Sequence, residues 1–364
     1  MSPQPDPRAD RGVAARQHGA KPPSAVDNNF NALRLMFALM VAVYHAILLP
    51  GVPGWKVLEG PTSVMAEVGV QGFFMLSGYL VYASLERSSS LRLYAEKRVR
   101  RLYPAYATVV IVCAVAAVVL VPEARANLAG VGGYLGWNLV FLNFMAPDLP
   151  GVFQANRFHE VNGALWTLKI EVMFYIILPL LIWLLRAVGR MRWGLIILIY
   201  VGAEAWRWGF ETMDGNVSLG AEIARQLPGQ MSFFITGIAF RISRLDVKRL
   251  QLAGLIGAGL LVLSLMFPLA EPLRAVGLGS VMIFLATGQS RVFDAAKFGD
   301  LSYGLYIVHF PIIQTAIVAG LFASSPMLGL GVSLFMAFAA ALVLWWLIER
   351  PALRTDSAYR VHGR

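Results

Sequence analysis

Arg34 and His45 are two ionisable residues that share one apolar run near the start of the chain. They are eleven residues apart, which is about three helical turns, so both side chains project from one face about 16 Å from each other. Ionisable groups inside a membrane span are costly unless they are paired or hydrated, which makes each a functional candidate. The pair predicts an arginine that binds an anion and an imidazole base aligned along one pore. The structural alternative has Arg34 extending to lipid headgroups and His45 hydrogen-bonded in the core.

Glu171 is the acidic residue that lies about two turns into an apolar run beginning near residue 164. Its span runs opposite to the first one, so its depth is comparable with that of His45. A carboxylate that accepts a hydrogen bond from an imidazole fixes the tautomer and raises the basicity of the ring, so we predict a His45–Glu171 pair. The alternative, in which Lys169 neutralises Glu171, is disfavoured because residues two apart on a helix do not face each other.

A later span carries Ser302, Tyr306 and His309 at positions i, i+4 and i+7 of one helix face. Pro311 follows, and because proline has no N–H it leaves a backbone carbonyl free beside the histidine. Such a face is typical of a hydrogen-bonded contact between helices. A functional role for the same three residues stays open as the alternative. In the second span Gln71 and Ser77 are candidates to line a cavity, among glycines that favour close helix packing.

Arg98 and Arg101 belong to a cluster of basic residues between the second and third apolar runs. Their i, i+3 spacing places them on one helix face, which suits the phosphate groups of an anionic cofactor. The excess of basic residues on the cytoplasmic side of membrane proteins explains the same charges without any function.

The composition requires that lipid surrounds most of the chain that positions these residues. Of the 364 residues, 57% are hydrophobic and 14% are charged, and the mean hydropathy is +0.62. A soluble domain carries roughly 25% charged residues. The net charge of +10 is therefore interpreted as membrane topology and not as nucleic-acid binding. The single Cys113 excludes an internal disulfide and a thiolate metal cluster, and we expect no metal site.

Ten apolar runs are candidates for membrane-spanning helices, and most of the 31 basic residues fall between them on one side. We therefore expect an all-α polytopic protein with both termini in the cytoplasm. A further run at 130–144 is expected to be a re-entrant or interfacial helix, with an eleventh span as the alternative. The chain divides into a disordered tail (1–29), a membrane domain (30–351) and a short tail (352–364). The ten runs are 30–49, 63–85, 104–121, 164–185, 193–209, 226–242, 249–268, 272–289, 301–320 and 326–347.

Six motifs in this order carry a resemblance that covers nearly the whole chain. They are Arg34 with His45, the run from Gly72 to Tyr79, Arg98-x-x-Arg101-Leu102-Tyr103-Pro104, Trp166-Thr167-Leu168 before Glu171 and Phe174-Tyr175, Ser302-Tyr303-x-x-Tyr306-x-x-His309-x-Pro311, and Glu349-Arg350-Pro351. With these motifs the chain resembles the membrane proteins of acyltransferase family 3. Only a short tail follows Pro351, so we expect a membrane domain without the esterase-like domain that some members append.

The resemblance implies a multi-pass protein of the bacterial inner membrane that transfers an acetyl group from cytoplasmic acetyl-coenzyme A to a hydroxyl. It implies that His45, Glu171 and Arg34 serve the transfer. It also implies that the acyl-coenzyme A donor is bound by Arg98 and Arg101, and along its path by Arg34, Tyr306 and His309. Direct transfer is expected, and an acyl-enzyme on His45, Ser77 or Tyr306 stays open.

The expected acceptor is an exported polysaccharide or its lipid-linked oligosaccharide unit. The residues expected to contact it are Gln71, Ser77, Trp166, Asn162 and His159, the last two in a polar loop that could also be merely solvated. Acylation of a small hydrophobic acceptor such as a macrolide is one alternative. A carrier or flippase for a lipid-linked sugar is another, and the oligomeric state stays open.

Overall fold

A computed structural model describes residues 29–212, 217–287 and 299–353 of the chain, and within them the regular secondary structure is helical throughout. The all-α prediction is confirmed. The two predicted tails, 1–29 and 352–364, lie almost wholly outside the described residues, so their disorder stays a prediction. The helices in chain order are α1 (Phe30–Leu48), α2 (Lys56–Glu86), α3 (Leu91–Leu120), α4 (Pro122–Ala126), α5 (Leu128–Leu139), α6 (Trp166–Ala187), α7 (Arg192–Glu211), α8 (Val217–Ala224), α9 (Leu227–Ser243), α10 (Val247–Met266), α11 (Arg274–Thr287), α12 (Leu301–Val318), α13 (Leu321–Ser324), α14 (Pro326–Leu344) and α15 (Arg350–Ala352).

Each of the ten predicted apolar runs forms one of the longer helices of this series. Eight of the described helical segments are long and apolar enough to cross a membrane, by length and composition. The predicted spans at 193–209 and 226–242 form α7 and α9, which are not among the eight, and α9 has only 17 residues. A multi-pass membrane protein is therefore confirmed, whereas the count of ten spans and the side of the termini stay predictions.

The apolar run at 130–144 forms the short helix α5, which has 12 residues. Such a helix rises about 18 Å, which is too short to cross a hydrocarbon layer of about 30 Å. It lies against α3, where the Tyr106 hydroxyl donates to the Asn138 carbonyl at 2.7 Å and the rings of Tyr106 and Phe141 stack. This agrees with the prediction of a re-entrant or interfacial helix.

The centre of the bundle is built on α2, which packs against both α1 and α9. At the α2–α9 crossing, a Cβ atom on Gly78 would lie 2.1 Å from the Phe234 carbonyl oxygen, and one on Gly237 would lie 2.2 Å from the Met75 oxygen. Two backbones approach this closely only where both residues are glycine. The predicted packing role of the α2 glycines is confirmed here.

Candidate active site

A narrow cavity of about 60 Å³ lies between α1, α2, α3, α6 and α12, and we name it the Arg34 cavity. All of its lining residues except Val70 and Val81 belong to the sequence motifs, so helices far apart in sequence bring the predicted residues together. Its polar lining consists of Arg34, Ser77, Arg101, Thr167, Glu171, Tyr175, Ser302, Tyr303 and Tyr306.

Glu171 lies in the wall of the Arg34 cavity, and its Oε1 accepts two hydrogen bonds. The Ser77 hydroxyl donates to it at 3.2 Å, and the Tyr175 hydroxyl, one turn further along α6, donates to the same oxygen. Lys169 points elsewhere, because its Nζ donates to Gln226 Oε1 at 2.8 Å. Lys169 and Glu171 therefore bond to different partners, in line with their poor facing on the helix.

Buried ion pairs close one end of the Arg34 cavity. Oδ2 of Asp300 lies 3.2 Å from Nη1 of Arg34 and 2.6 Å from Nη2 of Arg101. The other branch of the Arg101 guanidinium reaches Oε2 of Glu349 at 2.8 Å. Burial alone would raise the pKa of Asp300, but Arg101 and Arg34 outweigh it and hold that pKa below its usual range. One carboxylate thus joins α1, α3 and the start of α12.

Local structure explains why Asp300 occupies this place. It is the N-cap of α12, where the backbone N–H of Ser302 donates to Oδ1 at 3.3 Å, and the Ser302 hydroxyl donates to the same oxygen. Aspartate is among the preferred residues at this position because its side chain satisfies an unpaired N–H. Glu349 ends a π-helical turn, Trp345–Glu349, that continues α14.

The prediction that Arg98 and Arg101 bind coenzyme phosphates side by side does not fit their surroundings. Both residues are only 7% exposed. Arg98 donates to the Ser84 hydroxyl at 3.2 Å and lies over the Tyr175 ring, but it does not itself line the Arg34 cavity. Since Arg101 already holds two carboxylates, a phosphate would have to displace Asp300 or Glu349 to bind there. The structure therefore gives both arginines positions inside the protein, with Arg101 alone reaching the cavity.

A second and wider cavity, of about 660 Å³, lies around the C-terminal end of α1, and we name it the His45 cavity. Its polar groups come mainly from α1, α2, α7 and α9 and from the segments just before α6 and α9. The carboxylates are Glu67, Glu160 and Glu211, the amides Gln71 and Gln230, the cations Arg207 and Arg225, and the aromatic residues Tyr44, Trp166, Phe158, Tyr306 and Phe310.

His45 pairs with His309 and not with Glu171, so the predicted partner was wrong. Nδ1 of His45 lies 2.9 Å from Nε2 of His309, and the two rings stack with an interplanar angle of 26°. The physical reason is that α12 lies directly against α1, whereas Glu171 is bonded to Ser77 and Tyr175 in the other cavity. His309, predicted on the path of the coenzyme, is instead buried behind His45.

Asn162 holds the loop before α6 onto α12. Its Nδ2 donates to the backbone carbonyl of Ile307 at 2.8 Å, the carbonyl that Pro311 leaves without its helical donor. The carbonyl predicted to be free thus accepts a hydrogen bond from Asn162, a residue that was predicted to contact the acceptor. His159 is exposed and is absent from the lining of both cavities. Of the five expected acceptor contacts, Gln71 and Trp166 line the His45 cavity and Ser77 lines the Arg34 cavity.

The two cavities share Val70 and Tyr306 in their linings, so these residues form the wall between them. The Tyr306 hydroxyl lies 2.7 Å from Thr167 Oγ1 and donates to the Ala164 carbonyl at 3.2 Å. The arrangement brings an imidazole in a wide polar cavity next to a narrow cavity that contains a carboxylate and two guanidinium groups.

Asp300 and Tyr175 belong to this site although neither was among the candidate site residues. The available signal for Asp300 was its place directly before a span, two residues ahead of Ser302. For Tyr175 it was the i, i+4 spacing from Glu171 on one helix.

Comparison with known proteins relates the chain to acyltransferases over most of its length. It is 25% identical to nodulation protein 10 of Rhizobium leguminosarum bv. viciae, over 90% of this chain and 93% of that protein. It is 26% identical to an O-acetyl transferase of Shigella phage Sf6, over 80% of this chain and 86% of that protein. A peptidoglycan O-acetyltransferase of Listeria monocytogenes is 27% identical over 68% of this chain and 44% of its own length. No solved structure matches the chain. The acyltransferase domain pattern of family 3 matches residues 27–350, so the chain belongs to acyltransferase family 3.

Proposed function

We propose that this protein is a membrane O-acetyltransferase of the bacterial inner membrane. It moves an acetyl group from cytoplasmic acetyl-coenzyme A to a hydroxyl of a polysaccharide or of its lipid-linked repeat unit. Membership of the family supports acyl transfer, and two of its relatives are named as O-acetyltransferases. The donor and the acceptor are our inference: the family resemblance implies them, and the two cavities support them.

The observation that carries the proposal is that His45 lies in a wide polar cavity that adjoins the narrow Arg34 cavity at Val70 and Tyr306. A route of this shape lets a slender donor arm reach from one side and a bulky acceptor approach from the other. Neither substrate then has to cross the membrane.

The Arg34 cavity suits the slender part of the donor. A water molecule needs about 10–15 Å³ in such a cavity, so a volume of about 60 Å³ fits a single chain and excludes a nucleotide. Glu171 accepts hydrogen bonds there and suits the amide N–H groups of a pantetheine arm. The phosphates then stay outside this cavity, at the basic start of α3, where Lys97 and Arg100 are not buried as Arg98 and Arg101 are.

The His45 cavity suits a hydroxyl-rich acceptor. Carboxylate and amide oxygens accept hydrogen bonds from hydroxyl groups, and a concave wall with a few convergent polar groups is typical of ligand sites. The Arg225 guanidinium lies over the Trp166 ring, which fixes one aromatic wall. Gln71 donates to Glu67 at 2.7 Å, so this amide is held in one orientation.

In the proposed reaction His45 removes the proton from the acceptor hydroxyl, whose oxygen attacks the thioester carbonyl. The C–O bond forms, the C–S bond breaks, and the proton passes from the imidazolium to the departing thiolate. The products are the acetyl ester and the free thiol. General base catalysis of this kind contributes about 10²- to 10⁴-fold to a rate.

The test is analysis of surface glycans in a deletion strain that carries either the wild-type gene or the His45→Ala variant. We expect one O-acetyl group to disappear in the deletion strain, to return with the wild type and to stay absent with the variant. Purified His45→Ala should still bind acetyl-coenzyme A. Wild-type acetylation by a well-expressed His45→Ala protein would overturn the assignment, and sugar movement across vesicles without coenzyme would favour a flippase.

A further inference from the structure

The contact between His45 and His309 determines which nitrogen of each ring carries a proton. Two neutral imidazoles 2.9 Å apart share one hydrogen bond, so one nitrogen is an N–H and the other holds a lone pair. The direction of this bond decides where the basic nitrogen of His45 lies, and the surroundings of His309 decide the direction.

His309 Nδ1 lies 3.1 Å from the backbone carbonyl oxygen of Leu305. A carbonyl oxygen only accepts hydrogen bonds, so Nδ1 of His309 carries the proton. The opposite tautomer would place two lone pairs against each other at this distance. Because neutral imidazole has one N–H, Nε2 of His309 then holds the lone pair.

Nε2 of His309 therefore accepts, and Nδ1 of His45 donates to it. This leaves the lone pair of neutral His45 on its Nε2, the nitrogen on the far side of the ring from His309. A doubly protonated His309 would reverse the direction, but the ring is 0% exposed and the described residues place no carboxylate in hydrogen bond with it. A buried charge without a partner is strongly unfavourable.

Exposure separates the roles of the two rings. His309 is fully buried and does not line either described cavity, so it does not meet a substrate. His45 is partly accessible and lines the wide cavity. Only His45 is therefore placed to take a proton from an acceptor.

We propose that His309 is the positioning residue of the transfer reaction: bonded to Leu305, it holds His45 in the tautomer whose Nε2 is the general base. This inference rests on the proposed function. The proton of the acceptor hydroxyl goes to His45 Nε2 as the ester C–O bond forms and the thioester C–S bond breaks. It then goes from Nε2 to the thiolate, while Nδ1–H stays bonded to His309.

The experiment compares His309→Gln with His309→Phe in purified full-length protein, with radiolabelled acetyl-coenzyme A and glycan from the deletion strain. Glutamine keeps an oxygen that accepts from His45 Nδ1, whereas phenylalanine keeps the volume and removes the acceptor. We expect the glutamine variant to stay within about tenfold of the wild-type kcat and the phenylalanine variant to fall by about 10²-fold. The KM for acetyl-coenzyme A should be unchanged in both.

The double variant His45→Ala/His309→Phe should be no slower than His45→Ala alone, because His309 acts through His45. His309→Leu replaces the phenylalanine variant if that protein unfolds, as judged by its melting curve. Equal activity of the glutamine and apolar variants, or a further loss in the double variant, would overturn the inference while leaving the proposed function intact. Absence of transfer by the wild type would instead refute the proposed function and this inference together.

Discussion

Nη2 of Arg101 lies 2.6 Å from Oδ2 of Asp300, and the same oxygen also contacts Arg34. Two cations from different helices thus converge on one carboxylate whose side chain is 1% exposed. Removing one member of such a buried group leaves uncompensated charge, which costs far more than breaking a surface pair. The stability of the bundle should therefore depend on Asp300 in a way that is open to measurement.

The Asp300→Asn variant should be destabilised by roughly 3 kcal/mol, because Arg34 and Arg101 would lose their shared negative charge. Asp246→Asn is a matched control, since Asp246 caps α10 in the same manner and pairs with the exposed Arg249. Melting curves in detergent should show a clear loss for Asp300→Asn and almost none for Asp246→Asn. Equal melting temperatures for the two variants would mean that the buried pairs contribute nothing.

The stability of the wild type should also fall in acid through Asp300. Its pKa is held below the usual value in the folded protein, so the folded state favours the carboxylate. That contribution is fully present above the unfolded pKa of about 3.9 and is lost as the pH falls through the lower folded pKa. We expect the difference in melting temperature between wild type and Asp300→Asn to shrink below about pH 4. A difference that is constant from pH 7 into that range would contradict this account.

The close crossing of α2 and α9 predicts a strong effect of one methyl group. Gly78→Ala would place a Cβ against the Phe234 carbonyl, and the helices would have to separate at a cost of about 1–3 kcal/mol. Gly60→Ala is the control on the same helix, because a Cβ there meets no atom within 4 Å. Only Gly78→Ala should lower the temperature of thermal unfolding. If both variants melt like the wild type, the two helices do not approach as described.

A double-mutant cycle tests the hydrogen bond between Asn162 and the Ile307 carbonyl. Asn162→Ala alone should cost about 1–3 kcal/mol, because the carbonyl left free by Pro311 loses its donor. In a Pro311→Ala background the restored N–H satisfies that carbonyl, so the same substitution should cost less. Cleavage of the 145–163 loop by added protease offers a second readout. Additive effects of the two substitutions would show that the bond does not depend on the proline.

Glu171→Gln should weaken binding of the acetyl-coenzyme A donor more than it slows the chemical step. The carboxylate accepts from Ser77 and Tyr175 in the narrow cavity, and hydrogen bonds to charged groups contribute about 1.5–3 kcal/mol. We expect the KM for acetyl-coenzyme A to rise by about tenfold or more, with a smaller change in kcat. Lys169→Met should leave that KM unchanged, because Lys169 lies two residues before Glu171 but is bonded to Gln226. A fall in kcat alone would instead place Glu171 at the reacting atoms.

Periodicity and hydropathy predicted the helices well, because each apolar run had to satisfy its backbone internally in lipid. They also located Arg34, His45, Glu171 and Ser302 on helix faces that meet at cavities. What they could not predict was the rotation of each helix about its axis. Depth in the membrane alone suggested that His45 pairs with Glu171. In the structure, the face of α1 that carries His45 packs against α12, so His45 contacts His309.

Asp300 illustrates a second limit of the sequence. As a charged residue just before a span it has the pattern of an ordinary helix cap, and it does cap Ser302. Its other oxygen binds Arg101, which is 199 residues away in the chain. No local pattern carries information on a contact at that separation. Only the fold shows that Arg101 is buried and that carboxylates occupy the place a phosphate would need.

If the acyl group moves from the Arg34 cavity to His45 as proposed, it has to pass Val70 and Tyr306, the two residues that both cavities share. Tyr306 is anchored by hydrogen bonds to Thr167 and Ala164, so its ring has little freedom to move aside. A passage beside a fixed ring would select acyl groups by their width and not by their length. Straight acyl chains would thread it end-on, whereas branched or ring-bearing ones would be turned away before they met the imidazole.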